Sequence, residues 1–173
     1  MRESANLGAG LLNDVSGFRR PGALQVAAET GLAICVMHMQ GEPDTMQNQP
    51  TYGDVVDDIS AFFTERLAEL DTAGVARDRI LIDPGFGFGK TAEQNFELLA
   101  KLEAMGSMGM PVLVGLSRKS MISSVLNRAP SERLFASVAL ATMAVERGAR
   151  IVRVHDVAET ADALAIWQRV SQG

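Results

Sequence analysis

A disulfide framework is the first thing this sequence cannot have, because it holds one cysteine, Cys35. A single thiol suits a reducing compartment. Histidine is nearly as scarce, with only His38 and His155, and no Cys/His set stands at metal-ligand spacing. Positive charge is not in excess. The net charge of −5 argues against a nucleic-acid partner held by a broad basic face. No apolar run reaches the roughly 18 residues that span a bilayer, so no membrane partner is expected. Met1-Arg2-Glu3-Ser4 lacks the apolar stretch of an export signal. These absences predict a cytoplasmic protein. Aromatics make up 5% of the 173 residues while 47% are hydrophobic, so the core is expected to pack helices on aliphatic strands.

What is present is an alternation of short apolar runs and longer amphipathic ones. Strands are predicted at Leu11 to Asp14, Ala33 to Met39, Ile80 to Asp83, Val112 to Leu116 and Ile151 to Val154. Helices are predicted at Gly22 to Thr30, Val55 to Thr72, Thr91 to about Met105, Met121 to Leu126, Ser131 to Arg147 and Val157 to Val170. Gly31 is placed to stop the first of these, and Thr91 with Gln94 forms a capping-box pattern at the third. The polar stretch from Gln40 to Gly53 reads as a long loop. Strands separated by helices must run parallel. The fold class is therefore α/β, with about five parallel strands and flanking helices: a partial (β/α)8 TIM barrel, in which residues 1–173 form one domain.

In such a barrel the chemistry collects at the C-terminal ends of the strands. Side chains alternate faces along a strand, so Leu11 pairs with Asn13, Leu81 with Asp83, and Ile151 with Arg153 and His155. One consistent solution places Asn13, Met37, Asp83, Gly115, Arg153 and His155 around the barrel mouth, while His38 faces the helices. Asp83 and Asn13 can together read a heterocycle that shows donors and acceptors. Lys119, Arg153 and His155 are the cations available for phosphate oxygens. Ser117 and Ser120 flank two basic residues where a helix begins, and an anion there would offset the clash with the helix dipole. Gly85, Gly87 and Gly89 allow close backbone approach, and Phe86 and Phe88 offer flat walls. The loop does not complete a Walker A pattern. The residues point to a site for a polar planar ring that carries an anionic group.

Five segments carry a resemblance. They are Leu12-Asn13-Asp14-Val15, Met37-His38-Met39-Gln40-Gly41, Asp83-Pro84-Gly85-Phe86-Gly87-Phe88-Gly89-Lys90, Gly115-Leu116-Ser117-Arg118-Lys119-Ser120 and Arg153-Val154-His155-Asp156. In order and spacing the chain resembles the dihydropteroate synthases, pterin-binding barrels of folate biosynthesis and targets of sulfonamides. The resemblance implies a transferase that joins 6-hydroxymethyl-7,8-dihydropterin diphosphate to 4-aminobenzoate, releasing diphosphate. It implies that Asn13 and Asp83 hydrogen-bond the pterin, that Met37 packs on the ring, and that Lys119 donates to it beside Gly115. Arg153 and His155 would hold the diphosphate, with Lys119, Arg153 and His155 as the catalytic set. Ser117 is implied as a further substrate contact, Phe88 as a wall of the aminobenzoate pocket, and Ser120 as the partner of its carboxylate. Mg²⁺ is the implied cofactor, and a homodimer the implied assembly.

Three loops of the family are missing from this sequence: Asn-Val-Thr-Pro-Asp-Ser-Phe, Glu-Ser-Thr-Arg-Pro-Gly and a strand-end Ser-Val-Asp. They would supply the magnesium ligand, a second pterin-binding Asp and the Thr-Arg pair of the aminobenzoate loop, so no metal ligand is expected in this chain. The expectation is a C-terminal portion of the barrel, with negligible synthase activity as 173 residues alone. A non-catalytic half-barrel that binds pterin or phosphate is the alternative.

Overall fold

The structure, a computed structural model, describes residues 1–41, 46 and 50–171. Positions 42–45 and 47–49 of the expected loop lie outside it. Five strands form one parallel sheet in the order β1 (Leu11–Asp14), β2 (Ala33–Met37), β3 (Ile80–Asp83), β4 (Val112–Val114) and β5 (Ala149–Val152). Neighbours in the chain are neighbours in the sheet, the commonest outcome when each crossover is a single βα unit. Helix α1 (Arg2–Asn6) precedes β1, and α2 (Ala23–Thr30), α3 (Val55–Thr72), α4 (Ala92–Ala100) with α5 (Glu103–Gly106), α6 (Ser123–Leu126) with α7 (Leu134–Glu146), and α8 (Val157–Ser171) follow the successive strands. The sheet is an arc of a barrel, with β1 and β5 as its two edges.

The helix starts are local chemistry. Asp54 accepts from the backbone N–H groups of Val56 at 2.8 Å and Asp57 at 3.1 Å. Thr91 and Gln94 complete the expected capping box, and Gly31 ends α2 with φ +67°. Val56, Ile59, Phe63, Leu67 and Leu70 are all buried, the face that their spacing predicts. They pack on the outer side of the sheet, in one cluster with Leu12, Ile34, Val36, Ile80, Ile82, Val112 and Val114.

Several boundaries differ from the sequence expectation, each for a reason. β2 stops at Met37, two residues early, because β3, its partner, ends where Asp83 meets Pro84; the last backbone bond runs from His38 N to Asp83 O, 2.9 Å. β5 starts earlier, at Ala149, since pairing with Val112 decides the register more than apolarity does. The helix expected through Met105 breaks after Ala100 into tighter i→i+3 turns, Ala104 N to Lys101 O and Met105 N to Leu102 O. Ser131 does not cap α7. It lies in a 3₁₀ turn opened by Pro130, and α7 begins at Leu134. On α8, Leu164 and Trp167 are half-buried but Val170 is exposed.

Candidate functional site

The register carries one set of side chains across the inner face of the arc. Asn13 stands beside Cys35 and Cys35 beside Leu81; Met37 stands beside Asp83, and Leu113 beside Ile151. Toward the strand C-termini this row becomes polar. Asp83 is 2% exposed and accepts from Gly85 N–H at 2.8 Å. Burial holds its carboxyl above the usual carboxylate range, outweighing that N–H and the charges of Lys119, Arg153 and Lys90, which pull it down. Cys35 feels the same two neighbours: burial and Asp83 push its thiol up to about 12, against Arg153. A Cβ on Gly115 would stand 3.1 Å from an Arg153 guanidinium nitrogen, so a side chain at 115 would crowd that guanidinium. Asp83, Lys119, Gly115 and Arg153 therefore share one small cup.

The glycine loop closes one side of the cup. Gly85 has φ +70°, and a Cβ there would fall 1.9 Å from the His38 carbonyl oxygen. The loop thus lies directly on the end of β2. Phe86 and Phe88 do not make a pair of walls, as the sequence predicted. Phe86 is fully buried in the outer core and offers the cup only its carbonyl, which accepts from Lys119 Nζ. Phe88 is half-buried, and the Lys119 ammonium sits 4.3 Å from its ring centroid. Burial lowers the Lys119 pKa to about 8.

At the Ser117–Ser120 turn, one expected conflict is resolved inside the protein. Arg118 does not wait for an anion: its guanidinium pairs with Asp156, Nη2 to Oδ1 at 2.5 Å and Nε to Oδ2 at 3.2 Å. The helix that follows is only a 3₁₀ turn, Ser120–Ile122, leading into α6, so its dipole is short. Ser120 is exposed. Arg118 adopts φ +58°, unusual for a bulky residue. The turn is held there by groups that sequence reasoning missed. Buried Ser137 accepts from Arg118 N–H at 2.9 Å, and buried Arg133 donates to the carbonyls of Arg118 (2.7 Å) and Lys119 (3.1 Å).

Ser117 is buried and tied to His155. Its hydroxyl oxygen accepts the His155 backbone N–H at 3.2 Å and lies 2.9 Å from Nδ1. Asn13, Arg153 and His155 are exposed at the rims, on or just beyond the two edge strands, whereas Met37 is buried. His38 is buried as expected, edge-on to Phe62 at 5.0 Å between centroids. No group of three or more His, Cys, Asp or Glu at metal-binding distances occurs among the described residues. None of the described helices is long and apolar enough to cross a membrane.

The chain is similar to known proteins. The sequence is 51% identical over 166 residues to the dihydropteroate synthase of Escherichia coli K12, covering 96% of this chain and 59% of that protein. It is 48% identical over 168 residues to that of Haemophilus influenzae, covering 97% of this chain and 61% of the relative. Among solved structures, the Yersinia pestis dihydropteroate synthase in a sulfonamide drug complex superposes with a TM-score of 0.97 at 47% identity, over 99% of this chain and 62% of that one. The Xanthomonas albilineans enzyme in complex with 7,8-dihydropteroate gives 0.92 at 44% identity, over 98% and 62%. The chain thus spans about three-fifths of the relatives it matches. The profile of the pterin binding enzymes matches residues 1–155, and with the cup at the strand ends in place, the chain belongs to that family.

Proposed function

We propose that this chain forms the pterin-binding part of a dihydropteroate synthase, and that its 173 residues act as one domain. The observation that carries the reading is the buried Asp83 carboxylate facing Lys119 and Arg153 in one cup. A carboxylate among cations suits a fused ring that presents N–H donors on one edge and phosphates on the other. Asp83 accepts from the ring edge, with Asn13 beside it. Met37 packs on the ring face. Lys119 donates to the ring next to Gly115, where the missing side chain leaves room for the guanidinium of Arg153. Arg153 and His155 hold the diphosphate. Phe88 and Ser120 bound the 4-aminobenzoate pocket. Ser117 acts on the ligand indirectly, by orienting His155.

The reaction is a displacement at the pterin methylene. The amine nitrogen of 4-aminobenzoate forms the new C–N bond and loses a proton. The C–O bond breaks, and its electron pair leaves on diphosphate. Arg153 and His155 stabilise that growing charge, and the cup holds the two reactants in line. The described residues do not fit a magnesium site. Asp83, the carboxylate of the cup, is buried among cations and already accepts from Gly85. No step here passes through a metal ion.

Calorimetry tests the reading. The purified chain is expected to bind 6-hydroxymethyl-7,8-dihydropterin diphosphate, with and without Mg²⁺, yet to show negligible turnover with 4-aminobenzoate. In the purified 173 residues β1 and β5 are edge strands, so the cup of that sample is open to water on both sides. No heat of binding would overturn the assignment, and turnover near that of an intact relative would overturn the expected inactivity.

A second copy of the chain is the proposed partner. α7 reads Leu-Phe-Ala-Ser-Val-Ala-Leu-Ala-Thr-Met-Ala-Val-Glu, apolar over most of its surface, yet Phe135 is 86% exposed; separately, Met143, 46% exposed, lines an apolar groove with Val125 and Leu126. Sedimentation should give a dimer that Phe135→Glu converts to monomer; a monomeric parent would refute it. A cytoplasmic location accords with the buried free thiol of Cys35.

A further inference from the structure

Lys90 ends the glycine loop and has no part in the chemistry above, yet it is 3% exposed. A buried ammonium is costly unless each of its N–H groups finds an acceptor. Here there are three: Gly85 O at 2.9 Å, Phe88 O at 3.1 Å and His38 Nδ1 at 3.0 Å. None of the three hydrogens is left for a ligand. The first two acceptors lie toward opposite ends of the loop, and the third is a ring on the end of β2. For Nδ1 to accept, the imidazole must be neutral with its hydrogen on Nε2. Burial and the neighbouring cations keep the ring neutral, lowering the His38 pKa to about 3; burial also lowers the Lys90 pKa to about 7, so all three bonds are donated when the amine is protonated. Asn95 of α4 braces the same segment, donating to Lys90 O at 3.3 Å and accepting from Gly87 N–H at 2.7 Å.

The part of the loop inside this clamp is the part that meets Lys119. Phe86 O accepts from its ammonium, and the Phe88 ring lies against it. Thr91, which follows Lys90, caps α4 and anchors the far side. We propose that Lys90 is a positioning residue: its ammonium, seated on His38, clamps the Pro84–Gly89 loop from behind and so fixes the Phe86 carbonyl and the Phe88 ring against Lys119. In its effect on pterin, this rests on the proposed function; the clamp itself does not.

Two measurements on the full chain separate these claims. Hydrogen exchange needs no ligand. In Lys90→Met, the Gly85, Gly87 and Phe88 amides should exchange on the order of 10-fold faster, while the ladder amides of β2 and β3 stay protected as in the parent. Calorimetry with 6-hydroxymethyl-7,8-dihydropterin diphosphate should show affinity down by about 10-fold in the same variant. His38→Leu, which leaves one ammonium hydrogen unpaired, should behave likewise. His38→Gln, which restores an acceptor, should return both readouts toward the parent. If Lys90→Met does not fold, the two His38 variants still decide. Equal behaviour of His38→Leu and His38→Gln, unchanged loop exchange, or equal acceleration of loop and ladder would overturn the clamp. A parent that shows no heat with the pterin, but a loop that loosens as stated, would overturn the proposed function and leave the clamp standing.

Discussion

Asp83→Asn should cost on the order of 100-fold in affinity for a pterin diphosphate, the sum of about two charge-assisted hydrogen bonds reduced to neutral ones. The carboxylate sits among the charges of Lys119, Arg153 and Lys90. Removing it acts twice. The ring edge loses its charged acceptor, and the cations lose the charge that lets them sit together. The Gly85 N–H keeps a partner, since the amide oxygen of Asn can still accept from it, so the loop stays in place. That makes the substitution a test of charge more than of fold. Calorimetry reads the affinity, and Asp162→Asn, an exposed change on α8, serves as the control that should leave it alone. An Asp83→Asn chain that binds like the parent would remove Asp83 from the site.

Gly85→Ala should be strongly destabilising, with the closest clash of the glycines for which an added Cβ is described. The new carbon would stand 1.9 Å from the His38 carbonyl oxygen, a backbone atom that cannot swing aside. The residue would also have to hold φ +70°, which costs about 1–2 kcal/mol for an L side chain. Relief requires moving the loop off β2, which breaks the His38 N to Asp83 O bond and the seat of Lys90. A loss of at least about 3–5 kcal/mol follows, in the range of severe core damage. Gly106→Ala is the matched control: Gly106 ends α5 with open space around it, and the change should be neutral or slightly stabilising. Denaturant melts of the two variants give the comparison. Similar midpoints for both would mean that the loop does not lie on the end of β2 as described.

Much of this was legible in the residues alone, and the reasons are local. Strands showed as apolar runs because both faces of a parallel sheet are covered. Alternation then assigned Asn13, Met37 and Asp83 to one face, and the register bears that out. The caps at Thr91 and Gly31 depend on neighbours a few residues away. What escaped depends on distant partners. Gly-Phe-Gly-Phe does not say which ring turns inward; Phe86 is drawn into the outer core, and Phe88 is left for the cup. Lys90 looked like the tail of a loop, because its acceptor His38 lies 52 residues earlier. Arg118 looked like an unanswered charge, because Asp156 lies 38 residues later. The start of β5 followed from its pairing with β4, which no run of apolar letters encodes.

A crystal of the chain soaked with 6-hydroxymethyl-7,8-dihydropterin diphosphate puts the whole account to its most direct test. The expected density has the bicyclic ring in the cup, its N–H edge on the Asp83 carboxylate, Lys119 on the ring and the phosphates between Arg153 and His155. A ring bound elsewhere, or a cup in which Asp83, Lys119 and Arg153 touch no common ligand, would contradict it.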